Sequence, residues 1–197
     1  MIAVLLALPA YGAAPSSAAD APAQIIGVID LRGVVMESSA GASVMKQRES
    51  LRSALKASVA KEEKALRDSE QELSRSRTLI TAEAFAEKQK ALGARVVEAQ
   101  RSVEVRRRGI DMTAGEGLDK LEKKVLEVAA TIARDRGMNI VLHSSQTVFF
   151  DGKFDIGKAT IEQVNKDMPS LALRDPAVLI AEARAKQKPS SPEAGGR

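Results

Sequence analysis

His143 is the only histidine of the chain and no cysteine occurs, so a thiolate metal site, a Cys–His nucleophile pair and a disulfide framework are all excluded. With no second histidine beside it, His143 at a strand end is expected to be structural. Asp30, Asp151 and Asp155 could hold a cation, but their positions fit a strand end, a turn and a helix cap. The "GEG" of Gly115–Gly117 lies inside helical sequence. It lacks the preceding strand and the following Lys-Ser/Thr that a phosphate loop needs. The expectation is of no catalytic residue, no cofactor and no metal. What remains chemically distinctive is charge. Between Lys46 and Arg108 there are 16 Lys or Arg against 10 Asp or Glu, with local clusters at Arg75, Arg77 and Arg106, Arg107, Arg108.

Those charges sit on long helices. Aromatic residues make up 3% of the 197 residues and charged residues 28%, a poor composition for a globular interior and a good one for coiled coil. From Gly41 to about Gly137 there is no proline, and apolar residues recur at heptad spacing. Val59, Leu66, Leu73 and Ile80 repeat every seven residues, while the alternate seam positions are charged or small. Such a seam holds loosely. Thr81 fits an N-cap with Glu83 in the first turn after it, so two helices are expected to meet at a tip near 77–81. Folding there sets Gly41 opposite Leu118 and Leu66 opposite Gly93, in an arm (42–117) on the order of 55 Å long. Gly109, Gly115 and Gly117 cluster where the arm meets its base, as either a hinge or tolerated surface glycines.

The base is expected to comprise 24–41 and 118–167. Ile25 to Asp30 reads as a strand followed by a short helix. Leu118, Leu121, Val125, Val128 and Ile132 form a helical stripe dense enough to pack against a body. Strands are expected at Met138–His143 and Thr147–Phe150, with a turn at Asp151-Gly152 and a helix over "DIGKATIEQVNKD". The fold class is α+β: a small β-body from the N- and C-terminal parts carrying a long antiparallel helical hairpin. Three short strands make a weak core for one chain. Oligomerisation through Ile26, Val28, Ile29, Ile140, Val141 and Leu142 would repair that deficit.

At the N-terminus, an apolar run from Ile2 to Leu8 followed by small residues has the pattern of an export signal over 1–23, with cleavage after Gly12, Ala19 or Ala23. No Lys or Arg precedes Ile2, so the true start is expected upstream of Met1. The tail from 168 to 197 is proline-rich and expected to be flexible, apart from a short helix over Ala177–Lys186.

The order "IGVIDLRGVVMESSAG", a Lys/Arg/Glu-rich hairpin, then "IARDRGMNIVLHSSQTVFFDGKFDIGKATIEQVN" resembles the Skp or OmpH-like family of periplasmic chaperones over Ile25 to Asn165. The resemblance rests on the Val28-Ile29-Asp30 strand end, Glu37-Ser38 and Ala40-Gly41 leading into the helix, Gly137 before the second strand, and Asp155-Ile156 opening the last helix. It implies a homotrimer whose three helical arms enclose a cavity. There unfolded outer-membrane β-barrel proteins are held without ATP and kept from aggregating. Two departures stand out. The tail runs beyond the usual family end, and the family's lipopolysaccharide-contact residues find no match position by position.

On this reading Val96, Val97 and Val103, with Ala54, Ala57, Ala60 and Ala65, offer shallow apolar contacts to a client. Arg106, Arg107 and Arg108 attract acidic clients, anionic lipid or a lipopolysaccharide surface. The alternative is a basic envelope coiled coil that spans distance or binds nucleic acid or lipid. No nucleic-acid partner is expected, because aromatic stacking residues and a groove-reading module are both missing from the sequence.

Overall fold

The computed structural model describes residues 23–187, so the export signal expected over 1–23 lies outside the described residues except for Ala23. The elements are β1 (Ile26–Ile29), α1 (Leu31–Glu37), α2 (Ser39–Ser76), α3 (Ala82–Asp135), β2 (Ile140–His143), α4 (Gly157–Asp167) and α5 (Pro176–Gln187). Short 3-10 turns at Ser144–Gln146 and Gly152–Phe154 join β2 to α4.

Local chemistry sets the boundaries. Asp30 caps α1 by accepting from the Gly33 N–H at 3.0 Å. Ser38 ends α1 and begins α2: its buried hydroxyl donates to the Val35 carbonyl at 2.9 Å and accepts from the Gly41 N–H at 3.1 Å. Thr81 caps α3 by accepting from Ala84 N–H at 3.2 Å, so the turn between α2 and α3 falls where the sequence places it. At the far end Gly137, with φ of +68°, ends α3 in the left-handed region where a side chain would be strained.

β1 and β2 pair in parallel, Ile26 against Ile140 through Ile29 against His143. A parallel pair needs a crossover. Here the helical hairpin of α2 and α3 supplies it. On its other side β1 meets Asp155 in a single bridge, and Val28 accepts from the Ile156 N–H at 3.0 Å. The strand expected at Thr147–Phe150 does not form. Both the N–H and the hydroxyl of Thr147 donate back to the Ser144 carbonyl, at 3.1 and 2.8 Å, which turns the chain immediately after β2. Val148 is left fully exposed and Phe149 is 87% exposed. Among the described residues the sheet therefore has two strands rather than three.

The core joins Ile29, Val34, Val35 and Ala40 to Leu121, Val125, Val128 and Ala129 of α3 and to Ile156 and Val164 around α4. Leu118 and Ile132 pack against its margin, so the dense stripe on α3 faces the body as its spacing requires. The short helix expected over Ala177–Lys186 forms as α5, and Leu179 in it is buried. The residues before it are tied to α2 and α3 through Gln47 and Thr113, and 188–197 of the expected tail lie outside the described residues.

Candidate interaction surfaces

Along the arm, Leu51, Leu55, Leu66 and Leu73 of α2 are half-buried and face a similarly half-buried row of α3 that includes Leu92, Ala99 and Val103. Leu66 and Gly93 line one open groove of about 440 Å³ together with Val96. Polar ties cross the hairpin nearer its base. Arg48 and Arg52 both reach Asp111 at 2.9 Å. Arg106 grips Glu62 with Nη2 at 2.8 and 3.1 Å and donates from Nη1 to the Ser58 hydroxyl at 3.0 Å.

Arg106 is thus a strut within the arm, not a free cation, because seam position and helix register point it at α2. Arg107 and Arg108 are exposed, Arg108 within 3.8 Å of Glu104. Val96 and Val97 are exposed, Val97 at 55%, whereas Val103 is half-buried. Ala54, Ala57, Ala60 and Ala65 all stand exposed on α2.

The six strand residues separate into two groups. Val28 and Ile29 lie in the chain's own core, with Val28 2% exposed. Ile140 and Val141 are exposed on β2, and Ile26 and Leu142 are half-buried. Beyond the 3-10 turn that ends β2, Val148 and Phe149 are exposed as well. Asp151 and Asp155 accept from the Lys153 and Gly157 N–H groups at 3.0 and 2.7 Å, as local caps. His143 is half-buried at the end of β2, its Nδ1 3.4 Å from the Ser145 hydroxyl. Among the described residues no helix is long and apolar enough to cross a membrane.

A β1–hairpin–β2–α4 body of this order is the arrangement covered by the family model "Outer membrane protein (OmpH-like)", which matches residues 25–164. The chain belongs to the OmpH-like family. No curated protein matches it. Among solved structures, a candidate outer membrane chaperone (OmpH-like) of Caulobacter crescentus CB15 is similar, with a TM-score of 0.72 at 16% identity. The match covers 76% of this chain and 88% of that one, a likeness of fold.

In this OmpH-like chain the sequence leaves one feature unread, the strap of residues 168–175 that crosses α2 and α3 before α5. Gly109, Thr113 and Gly117 recur every four residues on one face of α3, where Thr113 and Gly117 bed the strap and Gly109 beds the start of α5. A Cβ on Gly117 would stand 2.7 Å from Leu173 Cδ2, and one on Gly109 would stand 2.5 Å from Ile180 Cδ1. Close approach, rather than a hinge, accounts for these two glycines, and α3 runs unbroken through both. Gly115 faces open space.

Charge ties fasten the same region. Hydrogen bonds from Arg48 and Arg52 hold the Asp111 carboxyl below the usual carboxylate range. Lys120 foremost, then Arg174, does the same for Glu116, and Lys124 and Gln163 do so for Asp167. Carboxyls whose pKa is lower in the folded state stabilise it above their unfolded pKa and lose that contribution as pH falls through the folded value. The melting temperature is therefore expected to hold from neutral pH to about 5 and to fall below about 4. The change should be modest, because these groups are solvent-exposed. Thermal circular dichroism at low salt checks this, and a flat profile down to about pH 2 would mean the ties contribute nothing.

Proposed function

We propose that this chain is an ATP-independent periplasmic holdase that binds unfolded outer-membrane β-barrel proteins between helical arms and prevents their aggregation. The observation that carries the reading is the arm itself: two long helices bury only a thin seam and leave Val96, Val97 and the alanines of α2 exposed beside charge. Many shallow apolar contacts bind an extended apolar client without reading its sequence, and release it readily. The name borne by the Caulobacter protein, outer membrane chaperone, points the same way.

Assembly as a homotrimer through the β2 end would place three such arms around one client. The arm surplus of basic groups, with Arg107 and Arg108 exposed, attracts acidic clients and an anionic lipid or lipopolysaccharide surface.

The test is light scattering of a urea-unfolded porin diluted with and without the protein, in parallel with a duplex-DNA titration in the same buffer. Aggregation is expected to be suppressed without nucleotide. Added salt should weaken the protection but not abolish it, since screening removes the charge term and leaves the apolar one. An unprotected porin together with salt-sensitive DNA binding would replace this reading with that of a basic nucleic-acid-binding coiled coil.

A further inference from the structure

Two polar side chains of α2 and α3, Gln47 and Thr113, address the strap's main chain. The Gln47 carboxamide donates from Nε2 to the Leu171 carbonyl at 2.7 Å and accepts at Oε1 from the Leu173 N–H at 3.0 Å. Thr113 Oγ1 donates to the Arg174 carbonyl at 2.7 Å. One carboxamide that joins the C=O of one residue to the N–H two residues on offers a donor and an acceptor as a neighbouring strand would. Such bonds are available to an extended segment of any sequence.

The side-chain contacts are equally undiscriminating. Leu171 and Leu173 fill the space over Gly117, where a Cβ would meet Leu171 Cδ2 at 3.6 Å and crowd Leu173 Cδ2 at 2.7 Å. Dispersion and burial reward any apolar side chain of suitable size there. The ties that do depend on sequence are at the rim, from Arg174 to Glu116 at 3.4 Å and to Glu182. Residues 171–174 lie outside the 25–164 that match the family, whereas Gln47, Thr113 and Gly117, which form the groove, lie within it.

We propose that the groove formed by Gln47, Thr113 and Gly117 is a binding site for an extended apolar peptide segment, which Leu171–Arg174 occupies as an internal competitor. The partner it fits is a strand of an unfolded β-barrel protein, which has unpaired main-chain groups and alternating apolar side chains. Only the source of that strand rests on the holdase reading; the groove's chemistry does not. Strap release then uncovers a main-chain-reading site at the base of the arm.

The probe is a fluorescent peptide with the sequence of residues 169–176, PSLALRDP, titrated by anisotropy against the full chain. In a Leu171→Asp, Leu173→Asp variant the strap no longer competes, and the peptide should bind about tenfold tighter than to the unmodified chain. Adding Gln47→Ala should remove that gain. A peptide N-methylated at the leucine equivalent to Leu173 keeps every side chain but loses the N–H, and should bind about tenfold more weakly. Helical circular dichroism reports whether the double variant folds. If it does not, Arg174→Ala serves instead, since it loosens only the rim. Equal peptide affinity for the released and unmodified chains, or no effect of N-methylation, overturns the proposal. Porin protection by the same variant separates the two readings. Tighter peptide binding without protection keeps the groove and removes the holdase, and protection without peptide binding does the reverse.

Discussion

Leu121→Ala is expected to destabilise the body by about 2–5 kcal/mol, the range for a leucine truncated in a packed core. Leu121 is fully buried, in the cluster that joins α1, α3 and α4. Domains of this kind are stable by only about 5–15 kcal/mol, so a loss of that size removes a large share of the total. Leu66→Ala is the contrasting variant. Leu66 is half-buried on the loose seam and lines an open groove, so its truncation should cost about 1 kcal/mol. Urea titration followed by circular dichroism at one fixed protein concentration measures both, since association couples stability to concentration. Equal losses from the two variants would mean that arm and body are packed alike. Hydrogen exchange should agree, with slow amides over Leu118–Ile132 and fast ones over Leu55–Val103.

That contrast was legible in the chain because it lives in spacing. The α3 stripe of Leu118, Leu121, Val125 and Val128 follows the helical period, and four of four turn toward the core or its margin. Thr81 could be placed because capping is a local act of one side chain on an N–H three residues on. The strap was not legible for the opposite reason. Its bonds join Gln47 to Leu171 and Leu173, more than a hundred residues away, and no local preference reports such a pairing. Proline at 169 and 176 reads as flexibility, yet Pro176 opens α5 and the residues between are tied to Gln47 and Thr113. Arg106 failed similarly. Three consecutive arginines look alike in sequence, but a helix turns each by about 100°, and only Arg106 faces Glu62. Thr147–Phe150 is made of residue types that favour strands, yet a strand needs a neighbour, and the Thr147 hydroxyl donates a turn bond to the Ser144 carbonyl instead.

Val141→Asp is expected to separate the chains of the proposed trimer while leaving each one folded. β1 is bonded on both sides, by β2 and by the bridge to Asp155, whereas β2 is paired on one side alone among the described residues. An open strand edge flanked by exposed apolar residues is a template for pairing with another chain. Val141 is 39% exposed, so a carboxylate there remains solvated in the single chain and should leave its helical circular dichroism unchanged. Inside an interface the same charge loses its water without gaining a partner, at a cost of several kcal/mol. About 3 kcal/mol at each contact weakens association by roughly 100-fold. Val28→Asp is the poorer test, because Val28 is 2% exposed within the chain itself and its replacement would unfold the body whether or not the chains associate. Sedimentation equilibrium decides the matter. The unmodified chain should sediment as a trimer and Val141→Asp as a folded monomer across the same concentrations. A folded monomer for the unmodified chain would remove the enclosed cavity and leave each arm to act alone; a trimer untouched by Val141→Asp would move the interface away from β2.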